Sequence, residues 1–150
     1  MSLLDTFSPR LGETHASDWF EIDQGRVNAF ADVTQDHQFI HVDPVRAAKE
    51  TPFGGPIAHG FLTLSMLSHL AEQCLPPFPA GTIGINYGFD KVRFLAPVPV
   101  GSRIRGHFTL AEAVERKPGQ IQLRQDVKVE IEGSDTPALS AQWLSLVAGG

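Results

Sequence analysis

The clearest pattern in the chain runs from Ile121 to Glu132. Ile121, Leu123, Val127, Val129 and Ile131 fall on one face, and Gln122, Arg124, Asp126, Lys128 and Glu130 on the other. This two-residue alternation is that of a strand buried on one side. Residues 103–110 and 137–147 supply two further strands, and 17–22 a weak one. Between 82 and 98, Ile83, Ile85, Tyr87 and Phe89 share one parity while Val92 and Phe94 share the other. A shift of one residue near Gly88–Asp90 therefore predicts a bulge or a bend. Val98–Ser102 and Pro118-Gly119 read as turns.

Helical signals fill the first half. Asp23 is placed to cap a short helix with Val27, Phe30 and Ala31 on its apolar side, ending near Thr34. Asp43-Pro44 starts a second, reaching about Lys49. After the Gly/Pro-rich turn from Pro52 to Pro56, a long helix is predicted from Ile57 or Ala58 to Leu75, where Pro76-Pro77 stops it. Its roughly 18 residues span about 27 Å. Apolar side chains on nearly every side predict that other elements surround it. The expected fold class is α+β, with four or five antiparallel strands wrapped around one long helix. One sheet edge is left for a partner or solvent. Residues 1–11 carry little pattern and are expected to form a loose arm, with one domain over 12–150.

Composition narrows the function. The 150 residues carry a net charge of -5, which argues against a general nucleic-acid binder. The single cysteine, Cys74, excludes an intrachain disulfide and a cysteine-based zinc site, and reads as a buried thiol. No Asp, Glu, Lys or Arg occurs between Thr51 and Ala71, but Pro, Gly, His and Ser interrupt that run. Its apolar part is too short for a membrane span. The N-terminus lacks the pattern of a signal peptide, so a reducing cytosol is the expected compartment.

The candidate chemistry lies between Asp36 and Gly60. Asp36 and His41 stand five apart on a connector pinned by a helix at each end. His59 and Gly60 open the long helix. An acid and a base beside a helix start are the equipment for adding or removing water at an activated double bond. The structural alternatives are a loop salt bridge for Asp36 and His41, and a backbone hydrogen bond for His59. His37 and His41 are four apart, but no third ligand is evident and no metal is expected. His69 reads as a core or interface residue.

These motifs resemble the MaoC-like dehydratases, or (R)-specific enoyl hydratases, of the hot-dog fold. The signature, an Asp, then Asn-Pro, a His five after the Asp and a downstream I-x-H-G, is matched by Asp36, Gln38-Phe39, His41 and Ile57-Ala58-His59-Gly60. Gln and Phe in place of Asn and Pro resemble the branch related to nodulation protein N, as do DHQFIHVD (36–43) and INYGFDKVRF (85–94). The likeness covers about residues 12–147. It implies a five-stranded sheet around the helix, a homodimer, and reversible hydration of trans-2-enoyl thioesters to (R)-3-hydroxyacyl thioesters.

That reaction needs a group to take a proton from water, one to deliver a proton to C2, and donors at the thioester oxygen. His41 is the expected base. Asp36 is expected to hold the water and pass a proton on. The Gly60 N–H, in the first turn of the helix, is the expected oxyanion donor. By analogy with the family's helix serine, Ser68 is a substrate-site candidate, with a bond back to its own helix as the alternative. Asn86 or Tyr87 is a candidate for the acyl tunnel, with plain strand packing as the alternative. Lys91, Arg93, Arg103 and Arg105 are candidate contacts for the phosphates of coenzyme A or an acyl-carrier arm, or form solvated faces. No cofactor is expected beyond the coenzyme A or phosphopantetheine of the substrate. The competing readings are a hot-dog thioesterase, for which Glu72 is the sole carboxylate in the long helix, and a non-catalytic acyl-thioester-binding module.

Overall fold

Alternating strands and capped helices assemble as the pattern requires. The structure, a computed structural model, describes residues 1–149. The elements are α1 (Leu3–Phe7), β1 (Thr14–Ala16), β2 (Phe20–Glu21), α2 (Gln24–Thr34), α3 (Phe39–Val42), α4 (Pro44–Glu50), α5 (Gly60–Ser65), α6 (Leu67–Cys74), β3 (Thr82–Phe94), β4 (Arg103–Lys117), β5 (Gln120–Ile131) and β6 (Leu139–Gly149). The sheet is antiparallel, in the order β1-β4-β5-β6-β3. β2 also pairs with β4, so β1 and β2 are two pieces of one edge lane, and the sheet has five lanes. Buried Ser17 bridges the pieces: its N–H donates to Gly106 O (2.9 Å), and its hydroxyl accepts from Gly106 N–H (3.0 Å).

One sheet face meets the helices. Ile104, Phe108, Val127, Val129, Leu139 and Ala141 pack with Leu62, Leu67, Leu70 and Ala71, and α2 closes one side with Val27. Gly106 lets the layers touch, since a Cβ there would lie 3.2 Å from Leu70 Cβ and 2.6 Å from the Phe108 ring. The parity shift in β3 is real: its pairing with β6 slips between Asn86 and Gly88 and again between Phe89 and Lys91. β3 is an edge strand, and Ile83, Ile85, Tyr87 and Phe89 are exposed along it.

Four expectations are corrected. The long helix is two helices, α5 and α6, meeting at Met66. Ser65 donates its hydroxyl to Phe61 O (2.7 Å), a back-bond that bends helices. It starts at Gly60 because Ile57 and Ala58 are held extended: Ile57 bridges Pro99, and Ala58 N–H donates to Val98 O (2.8 Å). Nor is it surrounded, since Phe61, Ser65, Ser68 and His69 face outward. The arm is not loose either. Ser2 and Asp5 form a capping box on α1, and buried Phe7 packs with Leu110, Ile121, Leu123 and Val147 in a second small core.

Candidate active site

Asp36 and His41 are brought together by short, well-capped elements. Asp23 caps α2 by accepting from Arg26 N–H (2.8 Å), and α2 ends at Gln35 in the left-handed conformation. Asp43 caps α4 by accepting from Arg46 N–H (3.0 Å). The connector between them contains one helical turn, α3, which places His41 inward. His41 is buried, and its Nδ1–H donates to Ile57 O (2.6 Å). That bond fixes the neutral tautomer with a free lone pair on Nε2. Burial pushes its pKa below the ordinary 6.5, and the charge of His59 acts the same way; the Ile57 carbonyl and Asp36 oppose them.

His59 makes the backbone hydrogen bond that its structural alternative implies, and it also meets His41. It is 2% exposed and stacks on His41 with ring centroids 3.8 Å apart. Its Nε2–H donates to Asp36 O (3.0 Å) and lies 3.9 Å from Asp36 Oδ2. It thus ties the acid's backbone to the base's ring. The Asp36 carboxylate is half-exposed and accepts from Gln38 N–H through Oδ1 (3.3 Å). Ligand atoms of Asp36, His41 and His59 all lie within 4.8 Å of one another. Such a set can hold a cation, with two of the four ring nitrogens already serving carbonyls.

His41 opens onto a cavity of about 230 Å³ that Gly60, Thr63 and Phe94 also line. Gly60 is the first residue of α5, so its N–H has no partner within the helix. A Cβ at Gly60 would stand 3.0 Å from the Phe94 ring, so glycine keeps this approach open. Thr63 is a further polar residue that the sequence did not single out. It is 2% exposed, and its hydroxyl has no partner.

The other candidates divide. Ser68 and Asn86 line a separate cavity of about 540 Å³, toward the far end of α6. Asn86 Oδ1 accepts from the Trp143 indole N–H (3.2 Å). Tyr87 lies on the opposite strand face, exposed beneath the Arg116 guanidinium. Arg103 and Arg105 do not suit phosphate binding. Strand parity puts them on the sheet face away from the helices, where Arg103 is paired with Glu132 and Arg105 with Glu130 (2.8 Å). Arg105 also lies over the Trp19 ring, 4.3 Å from its centroid. Lys91 and Arg93 have no ion-pair partner among the described residues. His37 pairs with Asp32 (2.9 Å) rather than facing His41's site. His69 is exposed against Phe20 rather than buried. Cys74 is half-buried, and burial raises its thiol pKa, as suits an unreactive thiol.

An antiparallel sheet packed on a helix, with an Asp–His pair beside the helix start and its histidine on a cavity that Asp36 itself does not line, defines a class, and comparison with known proteins fills it in. Residues 7–132 match the MaoC like domain, and the chain belongs to that family. It is similar to nodulation protein N of Rhizobium meliloti (strain 1021), with 51% identity over 97% of this chain and 91% of that protein. It is 50% identical to 3-hydroxyacyl-thioester dehydratase Z of Mycobacterium tuberculosis, over 84% of this chain and 82% of the other. Among solved structures, it resembles the (R)-hydratase from A. caviae involved in PHA biosynthesis, with a TM-score of 0.72 and 28% identity, covering 92% of this chain and 96% of that one. The fold is therefore the hot-dog fold, in a family with hydratase and dehydratase members.

Proposed function

We propose that the protein hydrates trans-2-enoyl thioesters to (R)-3-hydroxyacyl thioesters, and catalyses the reverse. The observation that carries this reading is His41, buried and held by its Nδ1–H on the Ile57 carbonyl, with a ring nitrogen within 4.8 Å of an Asp36 carboxylate oxygen and its ring on the cavity that Gly60 lines. One water is held between His41 and Asp36. His41 Nε2 takes a proton as the oxygen bonds to C3, and the C2–C3 double bond breaks toward the thioester. The Gly60 N–H and the positive end of α5 stabilise the negative charge on the thioester oxygen. The proton taken by His41 is the one C2 requires, and the coupled pair delivers it through Asp36. No co-reactant besides water is consumed.

The substrate is carried on coenzyme A or an acyl-carrier arm, with Lys91 and Arg93 the remaining cations for its phosphates. The exposed apolar face of edge strand β3 supports a homodimer in which two such edges meet. No helix among the described residues is long and apolar enough to cross a membrane. A cytoplasmic place in fatty-acid metabolism accords with this chemistry. Glu72 lies at the larger cavity rather than at His41, which removes the main support for a thioesterase. The test is incubation with crotonyl-CoA, following the enoyl absorbance and free thiol together. Loss of the enoyl band without thiol, giving the (R) product, is expected. Thiol release would establish the thioesterase instead. Ligand binding without either change would establish a non-catalytic module.

A further inference from the structure

The larger cavity contains a feature that the hydration step does not use. Gln125 lies on the helix-facing side of β5, between buried Leu123 and Val127. It is 9% exposed and lines the cavity, and its Oε1 has no hydrogen-bond partner among the described residues. Its cross-strand neighbour Trp143 cannot serve it, because that indole N–H is given to Asn86. A buried amide without a partner in an apolar row is rare, and points to a group supplied from outside the fold.

The cavity is a built one. Phe7 of the N-terminal arm walls it, and so does Phe78 of the Pro76–Pro79 strap. The Phe78 ring lies over Gly84, where a Cβ would come within 2.2 Å of it, so glycine is required for that closure. The small cavity lies along α5 and the large one along α6, which follows it directly, and both touch edge strand β3. Gly60 and Phe94 line the small one, and Ala71 and Asn86 the large one. From Gly60 to Ala71 the helices advance about 16 Å.

We propose that this cavity receives the distal part of the substrate's acyl chain, and that the Gln125 amide selects a chain bearing a hydroxyl group there. This rests on the thioester reading above. A hydroxyl both donates to Oε1 and accepts from Nε2, whereas an alkyl chain leaves the amide unpaired.

The experiment compares crotonyl-CoA, trans-2-dodecenoyl-CoA and its ω-hydroxy derivative as substrates of the full chain and of Gln125→Leu. The expected kcat/KM favours the hydroxylated chain over the plain one by about tenfold in the parent and not in the variant, with crotonyl-CoA unchanged. Gln125→Met serves as the second variant if Gln125→Leu does not fold. Turnover of all three substrates without preference, or a preference that survives both substitutions, overturns the role of Gln125 and leaves the hydratase reading standing. If none is turned over, the hydratase reading fails, and calorimetry with ω-hydroxydodecanoic acid decides the site alone. Binding weakened about tenfold by the substitution supports it, and equal or absent binding overturns it.

Discussion

The two cavities are made in opposite ways. The small one takes its polar side chains, His41 and Thr63, with Gly60, from one stretch that helix caps at Asp23 and Asp43 lead into, and residues 94–98 and Ala138 close it. The large one gathers Phe7, Ser68, Phe78, Asn86 and Gln125 from five separate parts of the chain. In the first, ring nitrogens of His41 and His59 are tied to backbone carbonyls, which fixes their direction. Each also holds a buried polar atom without a partner among the described residues, Thr63 Oγ1 in the first and Gln125 Oε1 in the second. A site whose ring nitrogens are fixed before substrate arrives suits chemistry, and an amide set in apolar walls suits selection.

The sharpest way to separate the two is to remove the acid or the base. Asp36→Asn and His41→Gln should each lower kcat for a short enoyl thioester by about a thousandfold, with the melting transition still cooperative. Near-normal turnover in either would place the chemistry elsewhere. Phe7→Ala strikes the other region. It empties the small core under the arm and should cost about 3 kcal/mol in denaturant unfolding, while short-chain turnover of the folded protein is retained. A loss under about 0.5 kcal/mol would mean that the arm is only laid on the surface. Gly60→Ala pushes a methyl group against Phe94 at the small cavity and should reduce kcat/KM about tenfold.

The pH dependence is subtler. His41 works as a base only when neutral, and burial lowers its pKa, so the acid limb of kcat/KM should have its midpoint below 6.5. The same shift affects stability. As the pH falls through 6.5, the unfolded chain protonates this histidine before the folded protein does, so stability declines toward the lowered pKa. His41→Gln should therefore show a flatter melting temperature between pH 7.5 and 5 than the parent. Equal slopes would show that His41 is not held neutral. The smallest effect expected is that of Arg103→Ala and Arg105→Ala, which lie on the far sheet face. They should change KM for a coenzyme A thioester by less than about twofold.

The contrast also explains what could be read from the amino acids alone. Strand alternation identified β5, and the parity break at Gly88–Asp90 identified the slip in β3. The Asp36–His41 pair and Gly60 were legible because their spacing, their caps and the family motif act over a few residues. The backbone hydrogen bond of His59 was expected, but its stacking on His41 was not legible because it is a tertiary contact. Gln125 did leave a signal, a polar residue in a row of apolar ones on β5, but its meaning depends on Phe7 and Phe78 arriving from elsewhere. The bend at Met66 was hidden because an apolar run does not reveal where a serine hydroxyl competes for a helix carbonyl.

The central claim is that Asp36 and His41 act as one unit on one water. A double-mutant cycle on crotonyl-CoA hydration measures this directly, with Asp36→Asn, His41→Gln and the double variant assayed beside the parent. If the pair is a unit, the double variant is no slower than the slower single variant. If the two losses multiply, the residues act independently and the shared-water account is wrong.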